Sequence, residues 1–137
     1  MGRVLVELAL ANYQDMLLAD AGTLAPDKVR QTRLPGIVDT GATRLVLPEA
    51  VVTQLGLPAA GETKVRYADQ RSTNRPMVRD VWVTLQGRRA AFTAIVEPDR
   101  RAALIGAIVL EELDLVVDHS TQTLHPRDPD RIVSEIE

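Results

Sequence analysis

At 137 residues, with a net charge of −3, the chain has room for one domain with a sizeable core, and its acidic balance argues against a nucleic-acid binder, which needs a concentrated basic face. It has no cysteine, so disulfides and thiol chemistry are excluded. Its two histidines, His119 and His125, are too few for the usual zinc sites, so neither metal nor cofactor is expected.

In chain order, Arg3 to Ala11 mixes apolar and polar residues as a first strand does. Its apolar run Val4-Leu5-Val6 is broken by Glu7 and lacks the continuous core of a secretory signal, and no later run is long enough to cross a bilayer. The expectation is a cytoplasmic protein without a membrane partner. Asn12 to Asp27 reads as turn-rich, with Gly22 and Pro26. A second strand is expected from Val29 to Leu34, ending at Pro35-Gly36, followed by the apolar pair Ile37-Val38 and the loop Asp39-Thr40-Gly41-Ala42-Thr43. After Leu45-Val46-Leu47, Pro48 suits the first turn of a short helix running to Leu55, with Gly56 as its stop.

Lys64 to Ala68 and Pro76 to Leu85 read as two strands joined by a polar segment, and Gly87 turns the chain into a further strand, Ala90 to Val96. A loop from Pro98 to Arg101 precedes Ala103-Leu104-Ile105-Gly106, and Ile108 to Leu113 fits a helix. Leu115 to Asp118 and Thr123 to His125 form a closing hairpin, in which Asp118 reads as a turn residue. Arg88-Arg89 and Arg100-Arg101 read as solvated loop charges. Residues 126–137 form a charged tail behind a domain expected over 1–125.

By itself, Asp39-Thr40-Gly41 is also what an ordinary turn between strands contains, since Asp and Gly both form turns. Its surroundings say more. The apolar pair before it, Leu45-Val46-Leu47-Pro48 and Leu55-Gly56-Leu57-Pro58 after it, and the distant Leu104-Ile105-Gly106 ahead of a helix together resemble the retropepsin-like aspartic proteases. The resemblance covers roughly Met1 to His125 and implies an all-β fold, a closed, mostly antiparallel, barrel-like domain with one or two short helices. It implies a homodimer that cleaves peptide bonds in extended polypeptides. Peptide hydrolysis of this kind needs one carboxylate to deprotonate a water and a second, protonated carboxyl to polarise the scissile carbonyl. Aspartic proteases are a standing worked example of such a proton-sharing pair. This chain holds one Asp-Thr-Gly, so in the family pattern the second aspartate is Asp39 of an identical subunit across a two-fold axis.

The resemblance assigns further roles. Thr40, Gly41 and Ala42 shape the catalytic loop: the threonine braces the loop across the dimer axis, and the glycine permits close approach and dihedrals barred to other residues. Leu104, Ile105 and Gly106 support that loop from behind. The flap, a hairpin that closes over substrate, falls at Tyr67-Ala68-Asp69-Gln70-Arg71, with Tyr67, Ala68, Asp69 and Gln70 as its substrate-facing residues. No glycine lies between Gly61 and Gly87, which departs from relatives with a glycine at the flap tip. That departure leaves open a non-catalytic member of the same fold that serves as a dimerisation or peptide-binding module.

Overall fold

Apolar side chains at alternate positions of the first strand, β1 (Val4–Asn12), point inward at Val4, Leu8 and Leu10, while Leu5 and Glu7 face out. The computed structural model describes residues 3–136; Met1, Gly2 and Glu137, the outermost residues of the expected domain and tail, lie outside it. Strands β2 (Gln31–Val38), β3 (Leu45–Pro48), β4 (Ala59–Arg66), β5 (Ser72–Leu85), β6 (Arg88–Glu97) and β7 (Ala103–Ile105) join β1 in one sheet of order β1-β2-β7-β3-β6-β5-β4. β1 also pairs with β5, so six strands close into a ring and β4 stands outside it. The β2–β7 and β3–β6 pairs are parallel and the rest antiparallel, in agreement with the closed, mostly antiparallel domain expected. Leu8, Leu10, Leu45, Leu47, Val81, Val83 and Ile105 fill the ring. Each such side chain contributes about 1.5–3 kcal/mol of burial.

β5 serves both the ring and the flap because it bends. A register shift between Val78 and Val81, with Asp80 at φ 60°, moves the inward set from Val78 to Val81, Val83 and Leu85. The first half of the strand pairs with β4 in a projecting hairpin, and the second half pairs with β1 and β6 in the barrel.

Five expectations need correction. The segment after β1 is not simply turns: α1 (Tyr13–Asp20) lies there, followed by a single 3-10 turn at Pro26–Lys28. With α2 (Glu49–Leu55) and α3 (Ala107–Leu113) the chain has three α-helices among the described residues rather than one or two. Leu17 and Leu18 of α1 are exposed, so no apolar stripe announces this helix. Polar contacts hold it instead. Asn12 accepts the Asp15 N–H at 3.0 Å as an N-cap and donates to the Leu55 and Gly56 carbonyls at the end of α2. Asp15 takes three hydrogen bonds from Arg30, one from its backbone and two from its guanidinium.

β2 continues through Pro35-Gly36 to Val38 rather than ending there. Pro35 precedes the stretch in which β2 gains β7 as second neighbour, and Gly36 is a packing residue: a Cβ there would lie 2.8 Å from Ile105 Cδ1 and 2.9 Å from Leu8 Cδ2. Ala68 belongs to the hairpin turn, since β4 ends at Arg66. Arg88 is not a solvated charge, for its guanidinium is largely buried and donates to the Leu113 carbonyl at 3.1 Å.

The helix α2 ends on Gly56 at φ 58°, the left-handed stop its sequence suggests. β8 (Leu115–Asp118) and β9 (Thr123–Pro126) form the closing hairpin, and Asp118 is a turn residue there, accepting from Ser120 and Thr121. Residues 131–136 are exposed and outside regular structure. No helix among the described residues is long and apolar enough to cross a membrane.

Candidate active site

The loop carrying Asp39 is pinned from both sides by backbone. As β2 ends, the Asp39 N–H donates to the Ile105 carbonyl of β7 at 3.0 Å, and the Asp39 carbonyl accepts the Ala42 N–H at 3.1 Å. Two carbonyls at the end of the loop serve α3: Ala42 accepts the Ala107 N–H and Thr43 accepts the Ile108 N–H, both at 2.9 Å. The opening N–H groups of a helix have no partners within it, and α3 has no side-chain cap, so the loop supplies them. The helix and the Asp39 loop therefore hold each other in place.

Gly106 makes this contact possible. A Cβ there would lie 2.5 Å from the Arg44 carbonyl oxygen and 2.7 Å from the Thr43 carbonyl carbon, so only glycine lets the start of α3 approach. Gly41 is different from expectation. Its φ is not in the left-handed region, so the loop does not use dihedrals closed to other residues. What it supplies is its N–H, which donates to Asp39 Oδ1 at 2.9 Å, and close approach, since a Cβ would stand 3.2 Å from that same oxygen.

The Asp39 side chain is thus oriented by one hydrogen bond and open to solvent. A carboxylate in that state can accept a proton from water. Thr40 is exposed beside it. Leu104 and Ile105 divide their roles: Ile105 is fully buried under the loop, and Leu104 is half-buried and reaches the cavities on both sides of it.

Those cavities flank the loop. One, of about 510 Å³, runs from Gly41, Ala42 and Thr43 across to β4 and Tyr67, with Val46, Ile95 and Leu104 as its apolar floor. The other, of about 450 Å³, contains Asp39 and Thr40 together with Arg3, Val117 and His119.

The β4–β5 hairpin forms the outer wall of the first cavity, and its turn closes without glycine. Tyr67 N–H donates to the Arg71 carbonyl, Gln70 N–H to the Tyr67 carbonyl, and Asp69 Oδ1 accepts the Arg71 N–H at 3.0 Å. Gln70 takes the position that needs a left-handed residue, at φ 70°. Of the four residues expected to face substrate, Tyr67 lines the cavity, while Ala68, Asp69 and Gln70 form the exposed tip.

Tyr67 leads to contacts that the sequence did not suggest. Its hydroxyl donates to Glu97 Oε1 at 2.5 Å, and Arg75 Nε lies 2.9 Å from the Tyr67 oxygen and 3.0 Å from Glu97 Oε1. The flap hairpin is therefore tied, just below its turn, to the end of β6. Neither Glu97 nor Arg75 sits in a recognisable motif; only the β5–β6 register, which sets Met77 opposite Ile95, brings their ends of the strands together. Arg44 and Arg100 also line the first cavity.

No group of three or more His, Cys, Asp or Glu side chains is gathered as a metal would need among the described residues. No curated protein matches the chain. The family model described as aspartyl protease matches residues 25–122, which takes in the Asp39 loop, the flap hairpin, Gly106 and α3. The chain belongs to the retropepsin-like aspartyl protease family.

Proposed function

We propose that the chain is an aspartic endopeptidase that works as a homodimer, with Asp39 of each subunit forming one catalytic pair. The observation that carries this reading is the state of Asp39: a solvent-open carboxylate, aligned by the Gly41 N–H at 2.9 Å, on a loop braced by β7 and α3 and flanked by two cavities. One such carboxylate is half of what the chemistry needs, and a two-fold axis at the loop supplies the other half.

In the pair, one Asp39 is ionised and the other protonated, because two adjacent carboxyls do not both ionise readily. An extended polypeptide lies across both loops, under the flaps. The ionised carboxylate takes a proton from a water held between the pair. The water oxygen bonds to the scissile carbonyl carbon, while the protonated carboxyl of the other subunit delivers its proton to the carbonyl oxygen. The resulting diol collapses as the carboxyl that took the water's proton gives it to the amide nitrogen, a diol hydroxyl gives its proton to the other carboxylate, and the C–N bond breaks, so that the pair again holds one proton. Thr40 stands next to Asp39 on the exposed face, where it meets the partner loop.

The reading as a non-catalytic binding module rested on the missing flap glycine, and Gln70 closes that turn without it. The test is Asp39→Asn, which is isosteric but cannot act as base. It is expected to abolish cleavage of an unfolded protein substrate while leaving the melting temperature within a few degrees of wild type. Wild-type turnover by this variant would refute the assignment.

A further inference from the structure

The two cavities that flank the Asp39 loop share two lining residues, Leu104 and Arg100. The first is apolar, so Arg100 is the one charged side chain that borders both. It was expected to be a solvated loop charge, but it is half-buried, and its Nε is anchored to the Ala102 carbonyl at 3.0 Å, which leaves the terminal nitrogens of the guanidinium free to project. Arg44 lines the first cavity as well, and neither guanidinium is in an ion pair among the described residues. Glu97, the carboxylate of that cavity, is already matched by Arg75 at 3.0 Å. Lys64 and Arg66, at exposed positions of β4, line the same cavity and add to its positive field. A chain with net charge −3 thus lines the first cavity with four cations, Arg44, Lys64, Arg66 and Arg100, against one carboxylate that Arg75 already matches.

We infer that the channel selects polypeptides bearing an acidic side chain, Asp or Glu, close to the scissile bond, with Arg100 as the specificity-determining residue and Arg44 in support. A guanidinium anchored through Nε presents its remaining N–H groups as a fork that fits a carboxylate. It cannot lose its charge, and partial enclosure by the cavity weakens screening by salt. The inference rests on the protease reading for the word scissile, but the subsite itself is a matter of binding.

The experiment uses two short peptide pools, random except that a fixed central residue is Glu in one and Gln in the other. Cleavage is followed with the wild-type protein and with Arg100→Gln, and binding of each pool is followed by fluorescence anisotropy with Asp39→Asn and with Asp39→Asn/Arg100→Gln. The expected result is a preference of about tenfold or more for the Glu pool, as for a charged hydrogen bond. It should reside mainly in KM, shrink at high salt and fall toward parity when Arg100 is replaced. Cleavage with no Glu preference, or with one that survives Arg100→Gln, overturns the inference and leaves the protease reading standing. Glu-selective, Arg100-dependent binding without cleavage supports the subsite and overturns the protease reading; neither binding nor cleavage overturns both. Sedimentation accompanies the assay, and an Arg100→Gln protein that is monomeric where wild type is dimeric would place Arg100 in the subunit contact, which also overturns the inference.

Discussion

A side chain at Gly106 would collide with the loop that carries Asp39: its Cβ would stand 2.5 Å from the Arg44 carbonyl oxygen. The obstacle is backbone rather than a flexible side-chain end, so α3 or the loop must move, and the bonds from Ala107 and Ile108 to Ala42 and Thr43 lengthen with it. Gly106→Ala is expected to cost about 1–3 kcal/mol, the range for overpacking, and to remove most activity. Thermal melts and peptide turnover check this together; a variant as stable and active as wild type would show that the loop tolerates the shift.

The flap turn stores a local cost at Gln70, held at φ 70°. Gln70→Gly relieves about 1 kcal/mol of left-handed strain, and a β-branched Val at the same place adds to it. Hydrogen exchange of the residue-70 amide, which donates to the Tyr67 carbonyl, is expected to slow in the Gly variant and quicken in the Val variant. Identical exchange in both would mean that the backbone there is not strained.

The contact of Asp15 with Arg30 gives stability a pH dependence. The side-chain hydrogen bonds from Arg30 hold the buried Asp15 carboxyl below its ordinary value of 3.8, against the opposing effect of burial. Because the folded value is the lower one, the contribution is fully present above the unfolded value and is lost as pH falls through it toward the folded value. Asp15→Asn is expected to cost about 1–3 kcal/mol at neutral pH and to flatten the fall in stability below pH about 4. Denaturant midpoints for both proteins across that window check the sign; parallel curves would contradict it.

Activity per chain is expected to fall on dilution, since each site needs two subunits and dissociation removes it. Sedimentation at the same concentrations should show the loss tracking the monomer fraction. A monomer with full activity would end the shared-site account.

Most of the barrel was legible because its strands alternate cleanly and its turns carry glycine or proline, as at Gly56 and Gly87. The Asp39 loop and its support were legible too, because close approach to the Thr43 and Arg44 backbone demands glycine at Gly106. What was hidden depends on contacts distant in sequence. Helix α1 is held by Asn12 and by Asp15 with Arg30 instead of an apolar stripe, so periodicity could not reveal it. Gly36 resembled a strand stop but fits a gap between Ile105 and Leu8. Glu97 and Arg100 reach the channel, and Arg75 reaches Glu97, only because the β5–β6 pairing and the loop before β7 bring them there.

The most direct measurement mixes wild-type chains with inactive Asp39→Asn chains at constant total concentration, with time for subunits to exchange, and records turnover. If each site draws one Asp39 from each subunit, only wild-type pairs work, and an equal mixture retains about a quarter of the undiluted activity. An equal mixture that retains about half would mean that one chain carries a complete site, contrary to a catalytic pair built from two Asp39 carboxylates.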